Sequence, residues 1–247
     1  MQLYLIRHCE SENNALYRRT GSGDGRSADP ALTELGHKQA QFLADFIANS
    51  RETNPRSPNQ SLDRSGLHIS HLYCSLMRRS IETGLYIARE LDLPLIAHED
   101  IHERGGIYLN DPQTNENRGL PGPNREHFRR HFPNLILPES LGAEGWWNRP
   151  YEQREMAVTR AEAVLDWLLD THDQSDDQVA LIIHGGFIQS LFSALFQIPL
   201  IEERFRDNRE VWIKAYNGSV TRIDFLDEIV RLTYQNRIDF IPDDLVT

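Results

Sequence analysis

Two stretches decide the fold: MQLYLIRHCE at residues 1–10 and VALIIHGG at residues 179–186. Each is a short apolar run that stops at a histidine. Gln2 to Arg7 reads as a buried strand ending at His8, and Val179 to Ile183 as a strongly apolar strand ending at His184. Between them Leu67 to Cys74 reads as another strand, and Pro94 to Ala97 as a short one. Helices are expected from Thr33, a plausible N-cap, with Leu35, Phe42, Leu43, Phe46 and Ile47 as its apolar face; from Met77 to Leu91; from Tyr151 to Thr171; and from Phe187 to Phe196. Gly21, Gly23, Gly25 and Pro30 mark a loop, and the polar residues 51–66 a surface excursion. Ser219–Leu226 and Ile229–Tyr234 read as a hairpin turning at Asp227-Glu228. Strand–helix alternation implies an α/β fold, a doubly wound and mostly parallel sheet with helices on both faces. Ligands bind such sheets outside the carboxyl ends of the strands. Arg7-His8, Cys74 through Arg79, and His184-Gly185 would converge there if their strands are parallel neighbours.

Residues 104–150 are rich in glycine and proline and contain Trp146-Trp147. They read as an irregular lid inserted into a single domain spanning 1–247. The tryptophan pair suits a substrate cover and a core position equally.

Composition narrows the function. The 247 residues are 39% hydrophobic and 26% charged, ordinary for a globular protein with a core. No apolar run is long enough to span a membrane. The start lacks the pattern of a secretory signal, and Cys9 and Cys74 are too few for a disulfide framework, so a cytoplasmic setting is expected. A formal net charge of -11 argues against nucleic acid as a partner. Any anion-binding arginines must then be gathered in one cleft.

Transfer of a phosphoryl group to histidine needs a neutral imidazole with one free ring nitrogen. It needs arginine forks for the phosphoryl oxygens, and an acid for the leaving oxygen. Arg7, His8, Arg79, His184 and Glu103 could supply these parts. Arg7-His8-Cys9-Glu10-Ser11 with Asn14, Asp29 through Gly36 with Gln39-Ala40, Ser75 through Thr83, Ile101-His102-Glu103-Arg104, Ile183-His184-Gly185-Gly186 and, loosely, Tyr216 through Thr221 occur in order. This series resembles the histidine phosphatase superfamily, which includes the cofactor-dependent phosphoglycerate mutases.

The resemblance implies a phosphoglycerate mutase-like fold and a phosphatase acting on a phosphorylated small molecule. His8 would be the nucleophile and Glu103 the proton donor. Arg7, Arg79 and His184 would hold the phosphoryl oxygens, with Arg78 the exposed neighbour of Arg79. Asn14 would add a hydrogen bond, and Gly185, Thr20 and Gly21 would line the phosphate pocket. Neither metal nor cofactor is implied, and a homodimer would be unsurprising. A phosphoglycerate mutase is the alternative, with Arg118, Arg125, Arg129 and Arg130 offering a second anion site in the lid. A catalytically dead phospho-ligand-binding module is a further one, supported only by Cys9, which stands where the family usually has glycine. Cys9 is tolerable there if its φ is negative, and it places a thiol beside the site, where oxidation or alkylation could inhibit.

Other chemistries fit less well. His8-Cys9 suggests a cysteine-dependent phosphatase, but the required arginine six positions on is Ala15, or Ser80 counted from Cys74. The P-loop lysine motif and the Gly-x-Ser-x-Gly elbow are missing. His127 and His131 have metal-compatible spacing, yet no accompanying frame, and read as a solvated helix face.

Overall fold

A computed structural model describes residues 1–49, 67–111, 113–114, 116–172, 176–197 and 212–247. The expected excursion at 51–66 lies outside the described residues.

The elements in chain order are β1 (Gln2–Arg7), α1 (Glu12–Thr20), α2 (Glu34–Ala48), β2 (His71–Cys74), α3 (Arg78–Leu91), β3 (Leu95–Ala97), β4 (Tyr108–Asn110), β5 (Asn117–Gly119), α4 (Arg125–His131), β6 (Leu135–Ile136), α5 (Arg154–His172), β7 (Gln178–Ile183), α6 (Gly185–Phe196), β8 (Val220–Phe225) and β9 (Val230–Arg237). A seven-stranded sheet has the order β6-β3-β2-β7-β1-β8-β9. β7 pairs in parallel with β1 on one side and β2 on the other, while β8 runs antiparallel to β1 and to β9. The fold is therefore the expected mostly parallel α/β sheet.

Strand alternation explains the two helix layers. Tyr4 and Ile6 of β1 join Ala180 and Ile182 of β7 on one face, beneath Leu43 and Ile47 of α2 and Ile81 and Ile87 of α3. Leu3, Leu5, Val179, Leu181 and Ile183 take the other face, beneath Val164 and Leu168 of α5 and Phe187 and Leu191 of α6. Both faces being covered, the central strands are apolar throughout.

Local differences have local causes. Helix α1 was not expected: it buries no residue, so it has no apolar stripe to read. A capping box holds it instead, the Ser11 hydroxyl accepting from the Asn14 N–H and the Asn14 side chain bonding back to Ser11. β2 starts at His71 rather than Leu67. Phe42 stays exposed on α2, whose buried stripe includes Gln39, Ala40, Leu43, Ala44 and Ile47. The 104–150 segment is not irregular. It folds into the antiparallel β4–β5 hairpin and α4, and its strand β6 extends the main sheet beside β3. Trp146 and Trp147 belong to the core, 5% and 4% exposed.

Helix α2 presses on the segment after His8. A Cβ at Gly36 would lie 2.1 Å from the Glu10 carbonyl oxygen, so the helix can approach only through glycine. Gly36→Ala is expected to destabilise the protein by about 1–3 kcal/mol through forced backbone displacement. A lower urea midpoint with an unchanged m-value would show it, and an unchanged midpoint would refute it.

Candidate active site

Parallel β1, β7 and β2 deliver His8, His184 and Ser75 to one carboxyl edge of the sheet. A cleft of about 430 Å³ opens there, lined by Arg7, His8, Asn14, Arg79, Glu103 and Gly185 among others. His184 lies behind the lining, fully buried, its ring centroid 5.1 Å from that of His8.

The residues after β1 are pinned from several elements. His8 N–H donates to the Ile183 carbonyl (2.9 Å), and Asn217 Nδ2 donates to the His8 carbonyl (2.9 Å). Cys9 N–H donates to Thr83 Oγ1 (3.1 Å), and Glu10 N–H to Gln39 Oε1 (2.8 Å). Cys9 is absent from the residues with positive φ, so the site does not require glycine there. Its thiol is fully buried, and burial pushes its pKa to about 12. The expected susceptibility to oxidation or alkylation is thus corrected: this thiol is a packed side chain, not a reactive one.

The two histidines take complementary roles as hydrogen-bonding groups. His8 Nδ1 lies 2.7 Å from the Cys9 carbonyl oxygen. A carbonyl only accepts, so Nδ1 carries the proton and Nε2 keeps its lone pair. Arg79 Nε–H donates to that Nε2 at 3.1 Å. Burial, then the charges of Arg79 and Arg7, hold the His8 pKa well below 6.5, so the ring is neutral. His184 is likewise held well below 6.5, by burial first and then by Arg79. Its Nε2 is 2.7 Å from Ser75 Oγ, which already accepts from Met77 N–H (3.2 Å). No other acceptor for the Ser75 proton is found among the described residues, so we assign that proton to His184 Nε2, which places the proton of the ring on Nδ1. That Nδ1 is buried and has no partner among the described residues. One histidine therefore offers a lone pair and the other an N–H.

The cations and the acid are placed with equal economy. Arg7 Nη1 donates to the Ala215 carbonyl (2.5 Å), while its buried Nε has no partner among the described residues. Arg79 lies 4.0 Å from Asp29, whose own pKa burial lifts to about 6. Asn14 Oδ1 accepts from Ser11 N–H and Oγ–H and from Asn217 Nδ2, which leaves its NH₂ for the cleft. Glu103 accepts from Arg104 N–H (2.8 Å) on Oε1 and from Gly186 N–H (3.1 Å) on Oε2. A Cβ at position 186 would meet Glu103 Oε1 at 2.4 Å, so Gly186 makes room for the acid.

Most sequence candidates thus meet in one place; Thr20, Gly21 and the lid arginines do not. Thr20 and Gly21 lie outside the cleft lining: the Thr20 hydroxyl donates to the Leu16 carbonyl at the end of α1, and Gly21 is its left-handed C-cap. From that loop Gly23 and Arg26 reach the cleft instead. The lid arginines do not line it either. Arg118 lies beside a separate hollow, Arg125 binds the carbonyls of Pro138 and Leu141, and Arg129 and Arg130 are exposed on α4. Arg78 is the exposed neighbour, paired with Glu82 at 2.7 Å. His127 and His131 stack on the exposed face of α4. Sequence reasoning missed Ser75 and Gly186 as supports, and Arg26, Arg104, Tyr108 and Tyr151 as cleft walls. Ser75 and Gly186 were within quoted motifs; nothing in spacing singles out Arg26.

Known proteins agree with this architecture. The chain belongs to the histidine phosphatase superfamily (branch 1), whose model matches residues 3–55 and 60–237. The class that the fold and the family model define is that superfamily. A Yersinia pestis (strain Pestoides F) protein named "Probable phosphoglycerate mutase GpmB" is 26% identical over 227 residues, 91% of this chain and 85% of its own length. Among solved structures, a phosphoserine phosphatase from Entamoeba histolytica with 3-phosphoglyceric acid matches with a TM-score of 0.56 at 20% identity, over 97% of this chain and 98% of its own. A mycobacterial glucosyl-3-phosphoglycerate phosphatase with VO3 also gives 0.56, at 16% identity, covering 95% and 98%.

The buried neutral histidines make stability depend on pH. His8, His102 and His184 all have folded pKa values well below 6.5, so below that pH the unfolded chain binds protons the folded one refuses. Stability is full above about pH 6.5 and falls as pH drops, each histidine contributing a slope of up to about 1.4 kcal/mol per pH unit. Asp29, raised to about 6, opposes this with one proton. Urea midpoints are expected to fall steeply between pH 7 and 5; a flat profile would show that these rings are not held neutral.

Proposed function

We propose that the protein hydrolyses phosphomonoesters through a phosphohistidine on His8. The observation that carries this reading is the neutral His8 on the cleft lining, whose Nε2 lone pair accepts from Arg79 Nε–H, a donor that a phosphoryl oxygen would draw away as it binds. The lone pair attacks phosphorus, the N–P bond forms, and the bond from phosphorus to the leaving oxygen breaks. Glu103 gives that oxygen a proton. Water then attacks phosphorus, Glu103 takes back a proton, and the N–P bond breaks to release phosphate. Arg7, Arg79, the His184 Nδ1–H and the Asn14 NH₂ stabilise the phosphoryl oxygens throughout. The arginines carry positive charge, whereas His184 is neutral and serves as a donor. Gly185 contributes room beside the Arg7 guanidinium, 3.4 Å from where its Cβ would sit.

The leaving group faces Arg26, Arg104, Tyr108 and Tyr151. The Arg26 guanidinium lies 3.9 Å over the Tyr108 ring, and neither Arg26 nor Arg104 has a carboxylate partner among the described residues. These two cations support a substrate with a second anionic group, a feature shared with the phosphoglycerate named for the relatives. We read the segment 104–150 as an insertion that walls the leaving-group side and remains part of a single domain. A mutase reading draws on the same two arginines and on the named relative. It loses the second anion site expected from the lid arginines, so hydrolysis is the favoured reading. The dead-module reading loses its support in Cys9, which the backbone accepts.

Hydrolysis of p-nitrophenyl phosphate with EDTA present is expected for the wild type, and on the order of a thousandfold less or lower for His8→Ala. Equal rates for the two would end the phosphohistidine reading. Activity on 3-phosphoglycerate that appears only with 2,3-bisphosphoglycerate would favour the mutase instead. Ser75→Ala should lower kcat by about ten- to a hundredfold, the range for loss of a partner that orients an imidazole, with partial rescue in Ser75→Thr. An unchanged kcat would mean that Ser75 does not set the His184 tautomer.

A further inference from the structure

The amino edge of the sheet, opposite the cleft, carries a second cluster of ligand-type side chains. His71 opens β2, His172 closes α5, and Asp177 directly precedes β7. One donor atom from each lies within 4.8 Å of the others. Both histidines direct Nδ1 at the same carboxylate oxygen: His172 Nδ1 is 2.8 Å from Asp177 Oδ2, and His71 Nδ1 is 3.7 Å from it. The rings sit side by side, with centroids 4.7 Å apart. A hydrogen-bonded His–Asp pair has no use for the second imidazole. A tetrahedral zinc site with bonds of about 2.0–2.2 Å has donor–donor separations of about 3.3–3.5 Å. The two separations to Asp177, 2.8 and 3.7 Å, lie either side of that value, and the third lies within 4.8 Å, so an ion would adjust the positions of the two imidazoles.

We propose that His71, His172 and Asp177 form a site for a divalent zinc-class ion, clipping β2, α5 and the entry to β7 together. The surroundings supply what such a site needs. His172 is 2% exposed, and its Nε2 lies 3.2 Å from the Tyr73 hydroxyl. In the metal-bound form the single proton of the neutral ring sits on Nε2, where the Tyr73 oxygen accepts it, so that Nδ1 presents its lone pair to the ion. His71 Nδ1 is 3.0 Å from Ser70 Oγ, and Ser70 has the Gln178 carbonyl as another acceptor at 3.2 Å. Turning that hydroxyl frees the His71 lone pair with no hydrogen bond lost. His71 and Asp177 are 38% and 25% exposed, so water completes the coordination shell. Two imidazoles and one carboxylate suit zinc, cobalt or nickel better than magnesium or calcium, which favour all-oxygen shells.

Metal-stripped protein should be titrated with zinc alone, by calorimetry and thermal melting, as wild type, His71→Ala, His8→Ala and the His127→Ala/His131→Ala double variant. The proposal expects one equivalent bound and a melting temperature that climbs with zinc concentration. Both should survive in the His8 and His127/His131 variants, and binding should weaken at least tenfold in His71→Ala. Zinc should also leave the His71→Ala melting temperature unmoved, while p-nitrophenyl phosphate turnover in the absence of zinc is the same as in wild type. A stoichiometric site unaffected by His71→Ala, one lost in the other variants instead, or no stoichiometric binding would overturn it.

Discussion

The cleft holds more positive charge than the protein neutralises, and this excess shapes everything around it. Arg79 is 6% exposed, and its nearest carboxylate, Asp29, is 4.0 Å away with a pKa lifted to about 6. Arg7 spends one nitrogen on a backbone carbonyl and leaves another without a partner among the described residues. Buried cations without full pairing cost stability, so the fold keeps them only where a ligand repays the cost. A phosphoryl dianion with three acceptor oxygens is such a ligand. Burial first, and then the charge of Arg79, keeps His8 and His184 neutral, with Arg7 adding to the effect at His8. The net charge of -11 is screened over about 8 Å at physiological salt, so capture depends on this local field.

Holding like charges together requires a stiff frame, and the sheet provides it. β7 lies between β1 and β2, so the ends of the three strands cannot shift independently. The segment leaving β1 is then tied to α3 through Thr83, to α2 through Gln39 and to the turn before β8 through Asn217. Gly218, at φ +75°, sends its N–H to the Arg7 carbonyl at 3.0 Å. Each tie is modest, but together they hold the His8 backbone from several elements at once.

What could be read from the sequence follows the strength of the local signal. β1 and β7 announce themselves because strands buried on both faces are apolar without interruption. His8, Arg79 and His184 could be picked out because each follows or opens an element with a clear pattern, whereas Glu103 lies in a loop and was singled out by the resemblance of its segment. Helix α1 could not, since all its residues touch solvent and only the Ser11–Asn14 cap marks it. The 104–150 segment misled because strands of two or three residues carry no periodicity, and its order comes from tertiary partners such as β3 for β6. Arginine placement was the hardest. Counting lid arginines pointed to Arg118, Arg125, Arg129 and Arg130, yet Arg125 is spent on backbone carbonyls while Arg26 and Arg104 turn to the cleft. A side chain's direction depends on a backbone path that composition does not encode.

In the mechanism we propose, the pairing of the two histidines means that neither could replace the other. A nucleophile must present a lone pair, so its proton has to be drawn to the far nitrogen, and the Cys9 carbonyl does this because it can only accept. An oxygen-binding histidine must present an N–H, so its far nitrogen needs a donor, and a hydroxyl already engaged as an acceptor from Met77 N–H is such a donor. Exchanging the partners, a carbonyl behind His184 and a hydroxyl behind His8, would point a lone pair at the phosphoryl oxygens and blunt the nucleophile. The chemistry rests less on two histidines being present than on the different groups that stand behind them.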